Sequence, residues 1–164
     1  MKPFNLAITV ALFLLAFALL AAAQGKPIIQ ITPFTPFVSL AADNGCGFDI
    51  LLSPQAGRPN RERTITFTNS QTIVGPLFVT FQNLTANKTV NMNISGPGTF
   101  TFSDNTFVLH GPSFSTLPAS VAQASGLPTA VLTNGNFVLT FDDLGNITSA
   151  NLKGTSQDVC SLLE

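Results

Sequence analysis

The chain has 164 residues and is nearly neutral, with seven Lys and Arg against eight Asp and Glu; from Gln24 onward the balance is six to eight. That excludes the broad basic face a nucleic-acid partner requires. Low charge combined with many Thr, Ser, Asn and Phe residues argues against disorder, and the length suits one domain with its own core.

Residues 1–23 read as a signal peptide, because Lys2 is followed by an apolar run at 6–20 and then by Ala21-Ala22-Ala23, a small-residue cleavage pattern. An uncleaved anchor is the alternative, since the run almost spans a bilayer. No comparable run follows, and the C-terminus is too short and polar for a lipid-anchor signal. The expectation is an extracellular, secreted protein with no membrane attachment after signal removal. Residues 24–45 read as an N-terminal arm or an edge strand, because Pro33 and Pro36 exclude a central strand or a helix there.

Residues 46–164 are the expected β domain. Nine short runs of β-branched or aromatic residues, bounded by Gly, Pro, Asn or Asp, read as strands: 48–53, 63–68, 77–82, 88–94, 99–102, 106–110, 129–133, 136–141 and 146–153. The runs 88–94, 99–102 and 106–110 are expected to form a three-stranded meander around the turn Ser103-Asp104-Asn105. The longest break is 111–128, where 119–125 is short enough to make only one or two helical turns inside a loop over one end of the sheet. A loop of that length is the first place to look for a binding mouth. Asn134-Gly135 reads as a type I′ hairpin turn, the alternative being one long strand with a bulge at Gly135. The tail at 157–163 reads as a short helical turn that returns Cys160 to Cys46. The fold class is all-β, a single antiparallel barrel or sandwich of about eight or nine strands with a terminal disulfide; the residues leave barrel and sandwich both open.

Cys46 and Cys160 are the only cysteines, and in an oxidising compartment they pair. Asn83, Asn87, Asn93 and Asn146 each open an N-glycosylation sequon, three of them on one edge of the meander. All twelve aromatic residues after Gln24 are Phe. Alternating strand Phe is core lining first, but in an incompletely filled barrel Phe67, Phe81, Phe100, Phe102, Phe137 and Phe141 would line an apolar pocket.

No catalytic residues are assigned. His110 is the single histidine, and Gly111-Pro112-Ser113-Phe114-Ser115 lacks the final Gly of a nucleophile elbow. Most carboxylates sit in turns, where Asp satisfies the local backbone; Asp142 and Asp143 beside Asn146 fall short of a calcium loop's ligand count. Arg58, Arg61 and Arg63 read as a solvated loop and strand start. No metal and no cofactor are expected.

Asn93-Ile94-Ser95-Gly96-Pro97-Gly98 and Gly145-Asn146-Ile147-Thr148-Ser149, followed by Gly154 and Asp158-Val159-Cys160, resemble the motifs of a group of small secreted proteins from actinobacteria and filamentous fungi. The resemblance spans 46–163 and implies a secreted single β domain with a terminal disulfide. It supplies no catalytic residues. Asn105 and Asn136 depart from it, standing where a Gly and a basic residue are expected. The reading is thus a secreted, glycosylated, non-enzymatic β protein with a binding or structural role, its partner a small apolar ligand or an extracellular surface component. The alternatives are an apolar-ligand carrier barrel and a barrel isomerase or cyclase acting on an apolar substrate.

Overall fold

A computed structural model describes residues 26–164, so the signal peptide expected at 1–23 lies outside the described residues. In chain order the elements are β1 (Ile28–Pro33), β2 (Phe37–Ser39), α1 (Ala41–Asn44), β3 (Ile50–Pro54), β4 (Arg61–Thr66), β5 (Ser70–Val74), β6 (Phe78–Asn83), β7 (Thr89–Asn93), β8 (Gly98–Thr101), β9 (Thr106–Thr116), α2 (Ala119–Ser125), β10 (Ala130–Phe141), β11 (Ile147–Asp158) and α3 (Val159–Leu163). They form two antiparallel sheets, one of seven strands in the order β1-β4-β5-β8-β9-β10-β11 and one of four in the order β2-β3-β6-β7. Each sheet keeps two edges, so the architecture is two packed sheets and not a closed barrel.

The segment 24–45 supplies an edge strand to each sheet, β1 against β4 and β2 against β3. Three pairings differ from the sequence reading. The meander does not form: β7 pairs only with β6, while β8 pairs with β5 and β9, so Ser95-Gly96-Pro97 carries the chain from one sheet to the other. Asn134-Gly135 is no turn but the middle of the single strand β10. Strand β9 continues through Gly111-Pro112 to Thr116. Pro112 is tolerated there because β8 ends opposite Leu109, and the Pro112 carbonyl accepts from the Gly96 N–H at 2.7 Å on that open side. Its missing N–H therefore removes no ladder bond. Strand β5, polar along most of its length, joins β1 and β2 as an addition to the nine expected runs, and the runs 129–133 and 136–141 merge into β10, which leaves eleven strands among the described residues.

Two buried clusters form the core, and the first joins the two sheets. Ile50, Leu52, Val79 and Phe81 on the four-stranded sheet pack against Ala130 and Leu132 of β10, Phe114 of β9, and Val159 and Leu163 of α3. Phe81 meets Phe114 edge-on, ring centres 4.9 Å apart. On the second cluster Leu109, Val131, Phe137 and Leu139 are covered by Leu117 and Ala122 from the β9–α2 segment, with Leu152 of β11 beside them. Each fully buried residue of this size contributes about 1.5–3 kcal/mol. Around Val131 both faces of β10 are covered, and there Ser113 and Thr133 bury their hydroxyls against each other at 2.6 Å.

Strands β9 and β10 serve both clusters, and a row of glycines marks the crossing. Gly111 pairs with Gly135, and Gly135 with Gly154. Gly111 and Gly135 have φ of 76° and 145°. A Cβ on Gly135 would overlap the backbone of Lys153 and Gly154, and one on Gly154 would overlap Asn134 and Gly135. Only bare backbone fits this close approach.

Candidate functional site

The phenylalanines expected to line one pocket occupy three settings. Phe81 is fully buried in the first cluster and Phe137 in the second. Phe67 lies past the end of β4 and is 43% exposed. Phe100, Phe102 and Phe141 come together with Phe107: the Phe100 ring centre lies 5.7 Å from Phe102, 6.4 Å from Phe107 and 5.8 Å from Phe141. These four rings are half-buried at the edge of the second cluster, and they are the candidate apolar site.

Backbone bonds between three turns place these rings. The Phe102 N–H donates to the Asn69 carbonyl at 3.0 Å, and the Phe141 N–H to the Asn105 carbonyl at 2.9 Å. Asn105 takes φ of 50° to close the β8–β9 turn. A surface cleft of about 320 Å³ lined by Lys26, Pro27, Phe67, Thr68, Asn69 and Ser70 opens at the β4–β5 turn. The residues 111–128, expected to hold a binding mouth, instead complete β9 and pack α2 over the second cluster.

The polar candidates have structural partners. Asp142 closes the β10–β11 turn, its Oδ1 accepting from the N–H of Leu144 and Asn146 and its Oδ2 from Asn146 Nδ2. The Asn146 side chain first, then its backbone, holds that carboxyl below its usual range. Asp49 accepts from the Ala41 N–H, and Asp158 caps α3 by accepting from the Cys160 N–H. Arg58 stacks 4.8 Å over the Phe78 ring. His110 does not end a strand: it is exposed within β9 opposite Asn136, which pairs in turn with Lys153. Among the described residues no group of three or more His, Cys, Asp and Glu stands where a metal ion could be held, and no helix is long and apolar enough to cross a membrane.

The sequons differ sharply. Asn83 is buried, its Nδ2 donating to the Leu163 carbonyl at 3.1 Å and its Oδ1 accepting from the N–H of Thr85 and Ala86. A sugar on that nitrogen would break this bond and displace α3, so the geometry disfavours Asn83 among the four sequons. Asn87, Asn93 and Asn146 are exposed. Asn87 precedes β7 and Asn93 is its last residue, on the edge of the four-stranded sheet.

One surface escaped the sequence reading. Ser70, Thr101, Thr106, Thr140 and Ser149 stand opposite one another in turn, a row of hydroxyls across five adjacent strands. It is assembled from five separate segments, so no local pattern announces it.

Glu62, on β4, is half-buried, and desolvation raises its pKa. Its ionised form is therefore disfavoured in the folded state. Stability is higher below the unfolded pKa and declines as pH rises through the raised folded value. Glu62→Gln should raise the melting temperature at pH 7 and leave it unchanged near pH 3, an effect under about 1 kcal/mol because solvent screens the group. Thermal unfolding of both proteins across that range checks the sign.

No family model, no curated protein and no solved structure matches the chain.

Proposed function

We propose that the chain is a secreted, glycosylated β protein that works outside the cell by binding or by structural presence. The observation that carries this reading is the Cys46–Cys160 disulfide, which spans 114 residues and ties the α1–β3 connection to the C-terminal helix. A bond closing almost the whole domain suits an oxidising compartment. The three exposed sequons and the resemblance to small secreted proteins support the same compartment.

A second reading, a carrier of a small apolar molecule, is favoured by the half-buried rings of Phe100, Phe102, Phe107 and Phe141. Four aromatic faces leave apolar surface for a ligand without a charged anchor. An isomerase or cyclase acting at the same rings would add turnover to such binding.

One measurement tests both readings: native mass spectrometry of the protein from its own source, before and after glycan removal and reduction. The expected species begins at Gln24, gains two hydrogens on reduction, and carries sugar at Asn87, Asn93 and Asn146 with Asn83 bare. Intracellular protein retaining residues 1–23 overturns secretion. A stoichiometric apolar mass released by organic extraction selects the carrier reading, and its absence leaves the aromatic cluster as core.

A further inference from the structure

The four sheet edges are protected unequally. Strand β11 carries Lys153 and Gly154 at its centre, β7 has the exposed sequons Asn87 just before it and Asn93 at its end, and β2 is only three residues long. Charge, bulk and shortness each discourage edge-to-edge pairing. Strand β1 has none of these, and its one edge-blocking residue, Pro33, stands at its last position. Its six residues, Ile28–Pro33, contain no charged side chain, and Ile29 and Ile31 are 51% and 61% exposed. Among the described residues nothing pairs with its outer side.

The sequence of β1 is also self-matching. Ile29-Gln30-Ile31 reads the same in both directions, so an antiparallel copy related by a two-fold axis at Gln30 sets each Ile29 opposite an Ile31. Such an interface is isologous and closes at two subunits. We infer that β1 is a homodimerisation strand and that its partner is β1 of a second copy.

The register supports this occupant over an unrelated strand. Ile29 pairs with Ile65 and Ile31 with Arg63 on β4, so these four share one face of the sheet. Across the two-fold axis that row becomes Arg63, Ile31, then Ile29 and Ile65 of the second copy. Three isoleucines in a line cover one another. The Arg63 side chains of the two copies sit at opposite flanks, at least three strand spacings apart, about 14 Å. That exceeds the screening length of about 8 Å at physiological salt, so the dimer does not confront like charges. Joining β1 of the edge to β11 of another copy would instead propagate an open filament and would face Lys153. The exposed sequons lie on the β6–β7 turn, at the end of β7 and on the β10–β11 turn, which leaves β1 free of sugar. A six-residue strand pair is small, below the roughly 1,200 Å² of a standard specific interface, so the dimer dissociates on dilution through the micromolar range.

Sedimentation velocity of the intact, disulfide-bonded protein over a micromolar concentration series tests the assembly, and two mixtures of charged variants test its register. Ile29→Glu and Ile31→Lys are each expected to be monomeric, with melting temperatures near the parent because both side chains are exposed. Mixed together they are expected to restore a heterodimer, since the introduced carboxylate falls opposite the introduced ammonium. Mixing Ile29→Glu with Ile29→Lys places each charge opposite an isoleucine and should leave monomers. A parent protein that stays monomeric throughout overturns the inference. So does a dimer that persists in both single variants, an open polymer, or equal rescue by the two mixtures.

Discussion

Replacing Gly135 by Ala is expected to leave little folded protein. Gly135 lies at the centre of β10 with φ of 145°, a conformation in which an L side chain is strained, and a Cβ there would overlap the backbone of Lys153 and Gly154 on β11. Backbone cannot step aside as a flexible side chain can. Across on β11, Gly154 has no room for a Cβ either, so β10 and β11 approach closely where no side chains intervene. Moving β11 away would separate Leu152 from Phe137, which stand opposite each other in the second cluster. Strain and overlap together cost at least about 3 kcal/mol, a large share of a small domain's stability. Urea unfolding of Gly135→Ala checks this against Gly57→Ala, whose Cβ meets nothing within 4 Å. The Gly57 variant also has a positive φ and should lose only the strain, so comparable losses at the two sites would refute the close-approach account.

Removing the disulfide should be the second large effect. Cys46 and Cys160 bring Cα atoms 5.0 Å apart across 114 residues. In the loop-entropy model a closure of this size limits the unfolded chain by about 5 kcal/mol, and native disulfides typically cost 2–5 kcal/mol when removed. Both cysteines are already positioned by neighbouring side chains. Asn44 is buried and accepts from the Cys46 N–H at 2.8 Å while donating to Ser39 and Phe48, and Asp158 holds the Cys160 N–H at 2.9 Å. The folded geometry should therefore survive substitution, with the loss appearing as stability. Cys160→Ser together with Cys46→Ser is expected to lower the melting temperature by about 10–15 °C at an unchanged circular dichroism spectrum. A shift of only a degree or two would mean that the unfolded chain is already compact or that the bond is strained.

Much of the strand content was legible because its signals are local. Phe78–Asn83 alternates between core and surface, and six consecutive residues suffice to display that period. The helical turns at 119–125 and 159–163 lie within segments short enough to read directly, and two cysteines in one chain admit a single pairing. The candidate site was legible only in part. Phe100, Phe102 and Phe141 do gather, but Phe67, Phe81 and Phe137 carry the same local pattern and end elsewhere, because burial depends on what lies across the sheet.

The sequence by itself determined an all-β domain, its disulfide and most strand positions, since alternation, turn residues and cysteine number act within a few residues of chain. Only the tertiary structure decided which strands share a sheet, because pairing partners such as Ser70 and Thr101 are set by register over long separations. It also decided that Asn-Gly at 134–135 continues a strand: the dipeptide is suited to a turn, but here Gly111 and Gly154 offer it backbone on both sides, and two ladders of hydrogen bonds outweigh one local preference. Asn83 follows the same logic. Its sequon is visible in three letters, but its burial depends on the carbonyl of Leu163, 80 residues further along the chain.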